Sequence, residues 1–347
     1  MQALRQGGRA RIRVAEDQLG GSLLGQALGD ALGFVVEAEP PEVARAYVED
    51  CLRAGRAEQR AHSQFAFGQY SDDTQFAREL LRSFEERAGW DPAAFADRLA
   101  RLFREGRDVS AGWGTRSAAL RLSAGTHWSQ SGTPPPYAGN GSAMRAGQLG
   151  LLFPGERETR RVAGEQSRIT HLDPRCSAGA VAVARAVSLA AIRAPIHVDT
   201  FLEDIAALAD EEDSSVGAAI RGLTSWASLE PTAAARHVHE SGLDPEHPRW
   251  QGISAFVIPS VCWSLYAFLR SPDDYWETVC TAIAVGGDTD TMAAIAGAIS
   301  GARLGFDALP QTLLARLTDR GSWGAEALAG LARSCASIAN GAAESRG

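Results

Sequence analysis

The sequence predicts an all-α protein folded as a single compact multi-helix domain. Three observations carry that expectation. Apolar residues recur at helical spacing through most of the chain, as in "TQFARELLRSFEER", "PAAFADRLARLF", "CSAGAVAVARAVSLAAI" and "SAFVIPSVCWSLYAFLR", the pattern of helices with one buried face. Sustained apolar/polar alternation bounded by hairpin turns is nearly absent, so strands have almost no signal. Gly or Pro ends many of the periodic stretches, and Asp, Ser or Thr opens the next, as at helix termini. The 347 residues, 45% hydrophobic and 22% charged, can bury a large core, and neither a repeat period nor a long Gly/Ser linker divides them.

Residues 1–13 carry Arg5, Arg9, Arg11 and Arg13 without the apolar run of a secretory signal, and read as a flexible basic tail. Residues 340–347 read as a second tail, leaving 14–339 as the domain. The first helix contains "GGSLLGQALGDALGFVVE", with glycines every four residues at Gly21, Gly25, Gly29 and Gly33. In a membrane such a stripe favours helix dimerisation. Asp30, Glu37 and the shortness of the apolar run point instead to a tightly packed helix of a soluble protein. Seven residues return to one helix face, so Asp30 and Glu37 either look into one cleft or share a solvated acidic face.

Next comes "YSDDTQFAREL", in which Ser71, Asp72, Asp73 and Thr74 precede a helix. Late in the chain, "GGDTDTMAAIAGAISGA" places Asp288, Thr289, Asp290 and Thr291 at the mouth of another. Helix capping is the ordinary reading of either cluster alone. Capping does not need paired aspartates at two distant sites, and adjacent carboxylates repel unless a cation lies between them. The four carboxylates with the Ser71 and Thr291 hydroxyls form a hard all-oxygen set suited to Mg²⁺, Mn²⁺ or Ca²⁺. A shared two-metal site uses both clusters.

Residues 123–144, "SAGTHWSQSGTPPPYAGNGSAM", read as a long structureless loop, a feature usually tied to function. "GNGSAMR" (139–145) ends it and is expected to open a helix. Its glycines let backbone N–H groups face an anion, the helix terminus adds positive potential, and Arg145 would assist. "NG" also marks ordinary turns. "THLDPRC" sets His171 before a helix started by Pro174; a lone histidine is commonly structural, and no serine motif places it in a triad.

The formal charge of −8 argues against general nucleic-acid binding. Five dispersed cysteines without a CxxC pair suggest reduced thiols and a cytoplasmic setting.

Taken in order, "GDALGFVVE", "YSDDT", "GNGSAMR", "THLDPRC" and "GGDTDTMAAIAGAISGA" resemble the motif series of the ADP-ribosylglycohydrolase family, which includes the glycohydrolase that reactivates dinitrogenase reductase. The resemblance covers nearly the whole chain. It implies an all-α domain whose cleft holds two divalent cations, Mg²⁺ or Mn²⁺. The implied reaction cleaves the C1″ glycosidic bond of an ADP-ribosylated acceptor, most plainly a protein side chain, with ADP-ribose as product. Ser71, Asp72 and Asp73 match the first metal motif, where the family often has Thr in first place; Asp288, Asp290 and Thr291 match the second.

Glu37 matches a movable metal ligand beside the substrate, and either it or a ligand aspartate, Asp73 or Asp290, would handle the proton. Gly139, Asn140, Gly141 and Ser142 match a diphosphate loop, Tyr137 sits where a ring would stack on adenine, and His171 matches a substrate-side histidine. The context "HLDPRC" lacks the second histidine of some members, which leaves the acceptor linkage open among arginine, serine, a nucleic-acid base and a small-molecule ester. The diphosphate loop is expected to be exposed, so that a side chain at Gly141 would harm binding more than stability. A monomer without membrane association is expected.

Other readings differ in testable ways. A class I terpenoid synthase would need a third acid where Thr74, Gln75 and Phe76 follow Asp72 and Asp73. An all-α nucleotide pyrophosphohydrolase would split the diphosphate and leave the glycosidic bond. A non-catalytic member would bind ADP-ribose without turnover.

Overall fold

A computed structural model describes residues 14–242 and 251–345. The basic tail at 1–13 lies outside the described residues. The helices are α1 (Glu16–Gly33), α2 (Pro41–Tyr47), α3 (Asp72–Arg87), α4 (Pro92–Arg104) and α5 (Trp113–Ser123). There follow α6 (Leu149–Leu152), α7 (Glu156–Arg168), α8 (Pro174–Ala190), α9 (Val198–Asp210), α10 (Ser214–Trp226) and α11 (Pro231–Ser241). The last are α12 (Val257–Arg270), α13 (Tyr275–Ile283), α14 (Thr289–Leu304), α15 (Gln311–Leu314) and α16 (Ala325–Ser345). No strand occurs among the described residues, only isolated bridges such as Gly139–Phe256 and Ile253–Gly287.

The punctuation read from the sequence acts locally. Asp91, Asp173, Asp213 and Asp274 each accept a backbone N–H in the first turn of α4, α8, α10 and α13, satisfying donors that a helix start leaves free. Pro92 and Pro174 sit just inside their helices, where a missing N–H costs nothing.

The glycine stripe has a geometric cause. The helices α1 and α14 run antiparallel in direct backbone contact, with Gly21 against Gly301, Gly25 against Gly297, Gly29 against Ala293 and Gly33 against Thr289. A Cβ at any of these four α1 glycines would collide with a carbonyl oxygen of α14. The stretch Glu16–Val36 is long and apolar enough to cross a membrane, yet α1 is buried from Leu19 to Gly33 as the central core helix. The zipper sets the end of α1 beside the start of α14, where Thr289 Oγ1 donates to Gly33 O at 2.8 Å.

Several sequence expectations are corrected here. The helix α1 ends at Gly33 and a 3₁₀ turn, Phe34–Val36, carries the chain to Glu37; Asp30 and Glu37 therefore do not share a helix face. Residues 140–145 form consecutive turns, with the Ala143 and Met144 amides donating to Asn140 O at 2.8 and 3.1 Å. The next helix starts only at Leu149. The long loop is not structureless: it contains a 3₁₀ turn, Trp128–Gln130, and Thr133 bridges to His171. The C-terminal boundary at 339 also moves. The helix α16 continues through Asn340, whose side chain accepts from Val14 N at 3.0 Å and donates to Val14 O at 3.1 Å.

Candidate active site

Where α1 ends, α3 and α14 begin, and their first turns meet. Ser71 caps α3: its Oγ accepts from Asp73 N at 3.3 Å and donates to Asp73 Oδ2 at 3.0 Å. Asp72 and Asp73 are thereby left out of the capping role. Asp288, at the N-cap position of α14, makes no side-chain cap bond. The acids at these helix mouths are therefore not explained as caps.

Asp30 holds the first turn of α3 from below. Its Oδ1 accepts from Ser71 N at 2.8 Å, and its Oδ2 accepts from Thr74 N and Thr74 Oγ1 at 2.9 and 2.6 Å. The sequence showed this residue as a possible cleft acid; its visible work is to orient the neighbouring motif. Gln26 Nε2 adds a second tie, donating to Asp73 O and Met144 O at 3.0 and 3.1 Å.

Two groups of acids can each converge on a cation. Asp30, Asp73 and Asp290 form one, and Glu37, Asp288 and Asp290 the other; within each group, one oxygen per residue lies within 4.8 Å of the others. Asp290 belongs to both. Thr291 Oγ1 donates to Asp73 Oδ2 at 3.3 Å, linking the two motifs. Asp73 Oδ1 is buried without a hydrogen-bond partner, an acceptor the protein itself leaves unused and a costly arrangement for a buried carboxylate.

Electrostatics agree. Burial, followed by the neighbouring acids, pushes Asp72, Asp73 and Asp290 well above the usual carboxylate range. Burial also raises Asp288, against the hydrogen bond from Asn140. Asp30 is raised to about 6 by burial, and Glu37 to about 7 by burial and then by Asp288. So many acids without a countercharge fit a site built for cations. Ser71, whose hydroxyl is engaged with Asp73, does not line the cleft, whereas Asp72, Asp73, Asp288, Asp290 and Thr291 do.

The cleft encloses about 170 Å³ and is lined on its other sides by Glu37, Tyr137, Gly139, Asn140, Gly141 and His171. The glycine loop is held against the start of α12: Asn140 N donates to Ala255 O at 3.0 Å, and Val257 N to Ala138 O at 2.9 Å. Asn140 Nδ2 donates to Ser260 Oγ at 2.9 Å and to Asp288 Oδ2, which joins the loop to the acid centre. The amides of Gly139, Gly141 and Ser142 donate to no acceptor among the described residues, the donor arrangement of an anion cradle. His171 stacks on Tyr137 with ring centroids 5.8 Å apart, and burial lowers its pKa to about 3, so it is neutral.

One loop assignment is corrected, that of Arg145, which does not face the cleft. Its guanidinium, fully buried over Phe95, donates to Gln166 Oε1 (2.7 Å), Gly141 O (2.9 Å), Gln166 O (3.0 Å) and Thr170 Oγ1 (2.7 Å). It braces the loop from behind. The Ser142 hydroxyl is engaged behind the loop, donating to Cys176 O at 3.2 Å and accepting from Ser167 Oγ at 2.9 Å, while its backbone amide stays free for the cradle. Nor is the loop exposed: Ser142 through Arg145 are buried, and a Cβ at Gly141 would press on Thr115 Oγ1 and His171 at 3.0 and 3.1 Å.

The sequence also left residues unseen. Ser110, Gly112 and Thr115 supply another wall of the cleft. Ser110 Oγ donates to Glu37 Oε2 at 3.0 Å from a left-handed backbone, φ +62°. An aromatic residue between two glycines, Gly112–Trp113–Gly114, is the sequence trace of this wall.

The fold and site define an all-α protein with a buried acidic centre beside a glycine loop whose Gly139, Gly141 and Ser142 amides are free among the described residues. A family model for the ADP-ribosylglycohydrolases matches residues 12–344. The chain belongs to the ADP-ribosylglycohydrolase family and is a hydrolase of glycosidic bonds. A protein of Archaeoglobus fulgidus named only as uncharacterized is 30% identical, the match covering 88% of this chain and 93% of that protein. Mouse ADP-ribosylhydrolase ARH3 is 25% identical over 84% of this chain and 85% of its own length. The ADP-ribosyl-[dinitrogen reductase] glycohydrolase of Rhodospirillum rubrum is 28% identical over 87% and 90%. A solved ADP-ribosylglycohydrolase-related protein complex superposes with a TM-score of 0.65 at 28% identity, covering 93% of this chain and 98% of that one.

Proposed function

We propose that this protein releases ADP-ribose from an ADP-ribosylated protein side chain by hydrolysing the C1″ bond, and that it works with two divalent cations, Mg²⁺ or Mn²⁺. The observation that carries the proposal is the sharing of Asp290 between two convergent acid groups, beside the unpaired oxygen of Asp73. Asp73 would hold one cation and Glu37 and Asp288 the other, with Asp290 common to both, Asp30 bracing the turn that carries Asp73, and the buried Asp72 and Thr291 lining the same cleft. When bound, such cations orient ribose hydroxyls and water and offset developing charge.

The chain's own groups supply the rest. The amides of Gly139, Gly141 and Ser142 receive the diphosphate, and the Tyr137 ring, backed by His171, stacks on the adenine. Glu37, partly exposed at the cleft and hydrogen-bonded by Ser110, is placed to take a proton from water or pass one to the leaving group; Asp73 and Asp290 order the centre around it. The net charge of −8 and the five free cysteines support a cytoplasmic protein without general nucleic-acid affinity, and we propose that it acts as a monomer.

The test is to incubate the protein with Mg²⁺ or Mn²⁺ and matched arginine-, serine- and DNA-linked ADP-ribose, and to identify the products. Free ADP-ribose is expected, abolished by chelator. Splitting of the diphosphate, or binding without release, would overturn the proposal.

A further inference from the structure

The first turn of α5 forms a wall of the cleft, and the same helix continues outward across the surface. Gly112 and Thr115 line the cavity, Gly114 N donates to the Tyr137 hydroxyl at 3.3 Å, and the Trp113 ring meets the Tyr137 ring edge-on at 5.2 Å. Gly114, Thr115, Ala118 and Ala119 turn inward and are buried. Positions 113, 116, 117 and 120 fall on the opposite face by helical spacing. There Trp113 is 62% and Leu120 67% exposed. Among the described residues, only Ile192 joins them as a large exposed hydrophobic. Single exposed apolar residues mean little; these two share one face that begins at the rim of the cleft. Between them, Arg116 is held in place by Asp108 Oδ2 at 2.7 Å and by cation–π contact with Phe103.

We propose that this face of α5 is the docking surface for the polypeptide that carries the ADP-ribose, gripping apolar side chains close to the modified residue. The inference rests on the proposed activity. Position argues for this occupant. At about 170 Å³ the cleft has no room for a polypeptide chain. The polypeptide that carries the modification therefore stays outside and lies along the rim that α5 provides. Trp113 and Leu120 are seven residues apart, about 10 Å along the helix axis. An extended segment spans that distance with about three residues at ~3.3 Å each, so a short stretch beside the modified side chain reaches both. The exposed Trp113 is also of a residue type that dominates protein interfaces.

The experiment compares steady-state kinetics of wild type, Leu120→Glu and Leu120→Met with Mg²⁺. The substrates are ADP-ribosyl-arginine and ADP-ribosyl-serine as free amino acids, and the same linkages on a polypeptide with apolar neighbours. Leu120 is exposed and outside the cleft, so neither variant disturbs fold or chemistry. Leu120→Glu is expected to raise KM for the polypeptide substrate roughly tenfold, the order expected for loss of a buried leucine contact. Its kcat, and its kinetics on the free amino acid compound, should match wild type, and Leu120→Met should restore the polypeptide KM. Unchanged polypeptide KM in Leu120→Glu, or an equal change for both substrates, overturns the docking surface while leaving the activity standing. Failure of wild type to release ADP-ribose from any of these substrates overturns both.

Discussion

Thr291 donates its hydroxyl to Asp73 across 3.3 Å and so joins two acidic motifs separated by 218 positions in the chain. Two further links converge on the same place: the glycine zipper that sets Thr289 on Gly33, and the Asn140 amide that reaches Asp288. The centre is therefore held by the core helices themselves.

Asp290→Asn removes the acid common to both groups. Loss of one surrounding residue already costs ~10–100-fold in metal affinity or activity, so this change is expected to cost at least ~100-fold while the helical circular dichroism stays the same. Wild-type metal binding by calorimetry in this variant would contradict the assignment.

Metal removal should reverse the pH dependence of stability. Glu37 and Asp30, raised to about 7 and about 6 from ordinary values of 4.5 and 3.8, hold protons in the metal-free fold that the unfolded chain has released. Their contribution to stability is present below the ordinary values and is lost as pH rises through about 6 and 7. Metal-stripped protein is expected to melt at lower temperature as the buffer moves from acid to mildly alkaline, and saturating Mg²⁺ to oppose that slope. A thermal-shift series with and without chelator reads both curves.

Ser110→Gly keeps the left-handed backbone, relieves its strain and deletes the hydroxyl that favours ionised Glu37. Stability should hold or rise by about 1 kcal/mol. The acidic limb of the rate profile should shift to higher pH. An unmoved limb would show that Ser110 does not tune Glu37.

Gly25→Ala places a methyl group against the Gly297 carbonyl. Overpacking of this kind costs ~1–3 kcal/mol, and the shift should also weaken metal binding, because the zipper aligns Gly33 with Thr289. Urea denaturation and metal titration of one sample measure the two effects together.

Tyr137→Ala should cost about 1–3 kcal/mol of ADP-ribose affinity if the ring stacks on the base, with no loss toward ribose 5-phosphate. Gly141→Val, by contrast, is expected to lower thermal stability along with affinity, because Thr115 and His171 occupy the space its side chain would need. Calorimetry and melting curves distinguish the two variants.

Much of this protein was legible in its sequence for a physical reason: periodicity reports which face of a helix is buried, and glycine spacing reports where backbones touch. The all-α architecture and the close packing of α1 follow from those signals, and both acidic clusters from paired acids at helix starts. The direction taken by a side chain in an irregular segment does not. Arg145 and Ser142 belong to an anion loop by sequence, yet Gln166, Thr170, Ser167 and Cys176 draw both side chains to its rear.

By itself the sequence determined the chemical inventory: paired acids at two helix starts, a glycine loop, an aromatic residue and a histidine in a fixed order. Only the tertiary structure decided that Asp290 serves both acid groups, that Asp30 braces α3 from below, that Ser110 holds Glu37, and that α5 opens onto the cleft. Residue type and spacing set local conformation, whereas these relationships depend on distances between segments far apart in the chain, which close packing of the helices alone establishes.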